Sequence, residues 1–195
     1  MLKPRQAVCL PSLSPEELAQ VEVLLPGEHT TAYLLFRLAF PQARRRRFVP
    51  YHQILPALAS QKARAGVLIH EERFVYQAYG LRVVRDLGAW WEEETGLPIP
   101  LGGPLVRRDL PQEVKVALAQ ALRQSLKLAQ ERFVELLPFI RSRAQEISYE
   151  VLQAHIRTYV NPYTEDLGEE GRRALEELVR RAGGQPKKDL LWEGP

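Results

Sequence analysis

The chain has 195 residues, 45% hydrophobic and 26% charged, with 27 basic against 24 acidic side chains. That length suits one ordinary domain or two small lobes, and a net charge of +3 is too small to call for nucleic acid or an anionic membrane as partner. The single cysteine, Cys9, excludes an internal disulfide and a cysteine-rich metal site, and no run approaches the roughly 18 apolar residues of a membrane span.

Lys3 and Arg5 open the chain, but no apolar core of signal-peptide length follows them, so the expected location is the cytoplasm. Asn161 is the only asparagine and Met1 the only methionine, while arginine and proline abound; that pattern leans thermophilic.

The first half predicts strands alternating with short helices. Residues 7–10 and 21–25 are short apolar runs suited to strands. Between them Ser14-Pro15-Glu16-Glu17 predicts a short helix: a capping serine, a proline in the first turn, and acidic residues near the positive end of the dipole. Pro26-Gly27 breaks the second strand. His29 or Thr30 then starts a helix through Phe40, with Leu34, Leu35 and Leu38 on one face and Pro41 as its stop. Residues 47–50 suit a strand, and residues 53–61 a helix with Pro56 in its first turn. Residues 66–70 form a further strand whose three consecutive aliphatics predict burial on both faces. Residues 81–87 are a strand, followed by a turn-rich stretch over 96–104. Strand–helix–strand order of this kind predicts an α/β layer.

The second half is helical. Pro111 starts a helix bearing Val114, Leu118 and Leu122, and a second carries Phe133, Leu136, Leu137 and Ile140, with a bend expected at Pro138. A third begins near Ser148 and carries Val151, Leu152, His155, Ile156 and Tyr159. A fourth runs over 169–182 and stops at Gly183-Gly184. The lobe boundary falls at 107–109, giving a central α/β lobe over 1–108 and a helical part of another lobe over 109–195.

Two segments could carry chemistry. In Gly27-Glu28-His29-Thr30-Thr31-Ala32-Tyr33, the first N–H groups of a helix lack intrahelical partners and carry the positive end of its dipole, and two threonines add hydroxyls. The segment can recognise a carboxylate or another polar oxygen, or it can be an ordinary strand-to-helix turn with a threonine cap. In Val67-Leu68-Ile69-His70-Glu71-Glu72, a histidine ends an apolar strand, where ligands of open α/β sheets gather. Imidazole is a natural general base near neutral pH, yet such a histidine can equally be buried against its neighbours or paired with Glu71 or Glu72. No second histidine stands at metal-ligand spacing. The other features read more simply: residues 44–47, four arginines, as a solvated turn; His155 as core; Trp90-Trp91 as packing; His52 as a helix cap.

Pro26-Gly27-x-His29-Thr30-Thr31-Ala32-Tyr33, Ile69-His70-Glu71-x-Arg73-Phe74, Asp86-Leu87-Gly88-x-Trp90-Trp91, Leu97-Pro98-x-Pro100-Leu101-Gly102, Arg107-Arg108-Asp109-Leu110 and His155-x-x-Thr158-Tyr159-Val160-Asn161 follow one another in this order. Taken together they make the chain, from about Val21 to Gly171, resemble the 1,4-dihydroxy-6-naphthoate synthase family of the futalosine route to menaquinone. The resemblance implies a fold like that of type 2 periplasmic binding proteins, two α/β lobes flanking a cleft. It implies a lyase acting on cyclic dehypoxanthine futalosine, with His70 as the proton-accepting base, Thr30, Thr31 and Ala32 against substrate, and no metal or organic cofactor. The partner implied is that small molecule, not nucleic acid or membrane. The family has a further half-lobe preceding the segment that begins here at Ala7, so the expectation is a shortened lobe, a non-catalytic ligand-binding remnant being the alternative. A large apolar area around 118–137 is then expected to be exposed and available for self-association.

Overall fold

The computed structural model describes residues 7–10, 13–143, 148–187 and 191; Lys3 and Arg5 lie outside them. A five-stranded sheet holds the first half together, in the order β3-β2-β4-β1-β5. The strands are β1 (Ala7–Leu10), β2 (Val23–Leu25), β3 (Arg46–Phe48), β4 (Ala65–Leu68) and β5 (Arg82–Asp86). β2 pairs in parallel with both β3 and β4, at Val23↔Arg46 and Val23↔Ala65. β1 is antiparallel to β4 and to β5, which leaves β2, β3, β4 and β5 all running one way.

Burial follows the pleat. Every residue of β2 and β4 is buried, whereas the edge strands β3 and β5 carry arginines and are largely open. Val23, Leu25, Ala65 and Val67 face one layer with Leu35, Phe36, Leu87 and Trp91. Leu24 and Leu68, the alternate positions, face the other with Ile54, Leu55 and Leu58.

Helices α1 (Pro15–Leu18), α2 (Thr31–Ala39), α3 (Ile54–Ala59) and α4 (Glu72–Val75) connect these strands, and α5 (Leu87–Thr95) follows β5. Ser14 and Glu17 form a capping box on α1, as the serine–proline start predicts. α3 packs so closely on β4 that a Cβ on Gly66 would lie 2.5 Å from Ile54 Cγ2. Two expectations need correction. Residues 87–95 form a helix that the sequence pattern does not predict: Asp86 accepts from the N–H groups of Gly88 and Ala89 at 2.9 and 3.0 Å, and Gly96 closes it at φ 67°. His52 is not a cap, because it sits exposed in a 3-10 turn over Tyr51–Gln53 that makes no side-chain capping bond.

The second half comprises α6 (Gln112–Glu131), α7 (Phe133–Arg143), α8 (Tyr149–Tyr159), α9 (Pro162–Glu165) and α10 (Gly168–Arg181). Ser148 caps α8 through the Val151 N–H. Pro138 is accommodated inside α7. α10 returns to the first lobe: Leu178 packs on its core and the Arg181 guanidinium lies 5.5 Å from the Trp91 ring centre. α6 and α7 contain no buried residue; Leu122 is 52% and Val134 81% exposed, as expected of this region. No helix among the described residues is long and apolar enough to cross a membrane.

Candidate functional site

The strand directions bring both chemistry-bearing segments to one edge of the sheet. β2 and β4 are parallel neighbours, so the segment after Leu25, which becomes the start of α2, and the segment after Leu68, which contains His70, leave from the same carboxyl edge. β3 and β5 also end there, delivering Tyr51 and Asp86. Ligands of open α/β sheets bind outside the carboxyl ends of the strands, which points to this edge.

At the start of α2, the Thr30 hydroxyl donates to the Gly27 carbonyl at 2.8 Å and accepts from the Tyr33 N–H at 3.2 Å. Its carbonyl takes the Leu34 N–H at 3.1 Å. Thr30 is thus spent on shaping the turn. The N–H groups of Thr31 and Ala32 have no partner among the described residues and stand at the positive end of the helix. Thr31 is half-buried and Ala32 buried, whereas His29 is exposed.

His70 lies two residues past β4, not within it, and holds a left-handed backbone at φ 53°. A non-glycine residue there stores roughly 1–2 kcal/mol of strain, a cost that often marks functional sites. Its ring is enclosed by aromatic neighbours. Tyr51 meets it edge-on at 5.0 Å between ring centres, and His155 and Tyr159 of α8 stand at 6.2 and 6.1 Å. The His155 and Tyr159 rings are 4.6 Å apart. The Arg73 guanidinium lies 5.6 Å from the Tyr159 ring centre and 4.5 Å from that of Phe74.

The electrostatics are those of partly buried groups. Burial, and secondarily the neighbouring Glu71, push the Glu72 carboxyl up to about 7. Its Oε2 is buried without a hydrogen-bond partner among the described residues. Burial also lowers the His155 imidazole, with His70 and Arg73 acting the same way and Glu71 opposing. It raises the Tyr159 phenol, against the pull of Arg73 and the His70 backbone, with Glu71 adding to the rise. Burial raises Tyr51 too, helped by Glu71 and Glu72. Burial lowers Arg73, which Tyr159 and Asp86 hold back.

Sequence reasoning missed most of this surround. His155, read as core, is half-buried against His70. Tyr51 and Tyr159 reach the site only through tertiary contact, whereas Arg73 is a near neighbour of His70 in the chain; the i, i+4 spacing of His155 and Tyr159 was the available signal that they share a helix face. Trp90 and Trp91 are packed in the core, Trp91 donating its indole N–H to the Pro98 carbonyl at 3.2 Å. The arginines at 45–47 are held within the fold: Arg45 on the Gln20 carbonyl, Arg46 on the Tyr33 hydroxyl, Arg47 on Glu22. A groove between α5 and α10, lined by residues such as Glu94, Leu97, Arg173 and Arg181, involves none of the His70 neighbours.

A protein-family model described as "Menaquinone biosynthesis" matches residues 3–183. The chain is 48% identical over 171 residues to "1,4-dihydroxy-6-naphtoate synthase" of Thermus thermophilus, covering 86% of this chain and 61% of that protein. It is 43% identical over 168 residues to the protein of the same name from Streptomyces coelicolor, covering 84% and 60%. The chain therefore spans about three-fifths of the length of these curated relatives. Protein AF1704 from Archaeoglobus fulgidus, a crystal structure, superposes with a TM-score of 0.86 at 33% identity over 92% of this chain and 67% of that one. A sulfonate-binding protein from Methylobacillus flagellatus superposes at 0.55 with 12% identity, over 92% of this chain and 57% of that one; this likeness speaks to the fold alone, one of periplasmic-binding-protein type. With a model match over residues 3–183, this chain belongs to the menaquinone-biosynthesis family.

Proposed function

We propose that the chain is a lyase of the naphthoate-synthase type, converting cyclic dehypoxanthine futalosine to 1,4-dihydroxy-6-naphthoate with His70 as general base. The observation that carries this reading is the convergence, at one sheet edge, of the free Thr31 and Ala32 N–H groups with a strained, aromatically enclosed His70. The chemistry suits those groups. Removing a proton next to a carbonyl needs a base of near-neutral affinity within reach, and imidazole is one. As the C–H electron pair enters the ring system, the bond to the sugar-derived fragment breaks and aromaticity drives the elimination. The Thr31 and Ala32 N–H groups hold a substrate oxygen as charge grows on it, while Thr30 sets their direction. The reaction so written calls on no metal or organic cofactor.

The test is to incubate the chain with cyclic dehypoxanthine futalosine and follow naphthoate by absorbance and mass. Wild type turns over and His70→Ala does not, a loss of about 100-fold or more. Equal turnover by His70→Ala would remove His70 from the role of base. A second reading, a ligand-binding module of the same family, is favoured by one observation: α6 and α7 bury none of their residues and leave apolar side chains open. Binding of the substrate by calorimetry, with no turnover, selects that reading.

A further inference from the structure

Resting on the lyase reading above, we infer that His155 is a second catalytic residue of the site: a neutral imidazole that donates its Nε2 proton in a hydrogen bond to the substrate oxygen on which charge develops when His70 takes the proton. The argument begins with position. α8 lays His155 and Tyr159 against the turn that carries His70, with the two imidazole centres 6.2 Å apart and tilted by 37°. A substrate group within hydrogen-bond reach of the His70 imidazole therefore lies close to the His155 imidazole as well.

The tautomer follows from burial. His155 Nδ1 is buried and has no hydrogen-bond partner among the described residues. An orphaned N–H is costlier and rarer in protein interiors than an orphaned acceptor, so the proton belongs on Nε2. The groups facing the ring are His70 and Arg73, which disfavour a positive charge on it, Glu71, which favours one, and the Tyr159 phenol stacked beside it. Burial outweighs Glu71 and holds the ring neutral. A neutral imidazole suits this role, because it donates a hydrogen bond without surrendering its proton and so stabilises developing negative charge without competing with the base. No bond to His155 forms or breaks, and the proton removed from carbon goes to His70.

Donor capacity and packing are separable by substitution. His155→Gln keeps an N–H donor, whereas His155→Phe keeps the volume and the stack on Tyr159 but has no donor. Expected kcat is within about 10-fold of wild type for His155→Gln and lower by about 100-fold for His155→Phe, with KM nearly unchanged. Full kcat in His155→Phe overturns the assignment. A wild-type chain that produces no naphthoate sinks the lyase reading instead, and the ring is then judged without turnover. Nitrogen-15 spectra of the labelled imidazole at neutral pH should show the neutral Nε2–H tautomer. An Nδ1–H tautomer or a charged ring overturns the inference by itself.

Discussion

Glu72→Gln isolates the penalty of burying a carboxyl beneath the His70 turn. Glu72 is 8% exposed and its Oε2 has no hydrogen-bond partner among the described residues. Burial first, and Glu71 second, raise its affinity for a proton from the ordinary 4.5 to about 7. Because the folded state binds the proton more tightly, the stabilisation is fully present below the unfolded value and is lost as pH rises through the folded one. At about 1.4 kcal/mol per unit, the difference between 4.5 and about 7 amounts to about 3 kcal/mol. Glutamine has the shape of the protonated acid and does not titrate. The variant's stability relative to wild type should therefore rise by about 3 kcal/mol between about pH 4 and about pH 8, nearly all of it accruing above the ordinary carboxyl value. Urea unfolding of both proteins followed by circular dichroism at each pH reads the difference directly, and other titrating groups cancel in the subtraction. A difference that stays constant within about 0.5 kcal/mol across that range would show that Glu72 is ionised as an exposed glutamate is, and the burial argument would fall.

Two further changes probe the scaffold of the site. Gly66→Ala places a Cβ 2.5 Å from Ile54 Cγ2 in the contact between β4 and α3, and should destabilise by about 1–3 kcal/mol in chemical unfolding. An undiminished Gly66→Ala protein shows that the contact is slack. At His70, both alanine and glycine remove the imidazole, but only glycine accepts φ 53° freely. His70→Gly should therefore be about 1 kcal/mol more stable than His70→Ala while both lack turnover, and equal stabilities refute the strain at this turn.

Local chemistry was legible in the sequence wherever it acts over a few residues. The Ser14 capping box, the Thr30 and Ser148 caps and the Gly183 stop are short-range hydrogen-bond and backbone effects, and all stand where their residue types place them. The doubly buried β4 was readable because consecutive aliphatics suit only a strand covered on both faces. The ends of α5 are marked too, by Asp86 as its cap and Gly96 as its stop, but its tryptophans and glutamates show little helical periodicity and so conceal the helix between them. The ordered motifs also pointed to the family.

What surrounds His70 was decided by the tertiary structure. Tyr51 arrives from the end of β3 and His155 and Tyr159 from α8, each far from His70 in the chain. No local rule links them: strand order and helix docking set those distances, and single-residue patterns carry neither. His155 on an apolar helix face reads as core until the partner of that face is known. The proton affinity of Glu72 likewise depends on burial and on Glu71, and becomes definite only when the turn is folded against its neighbours.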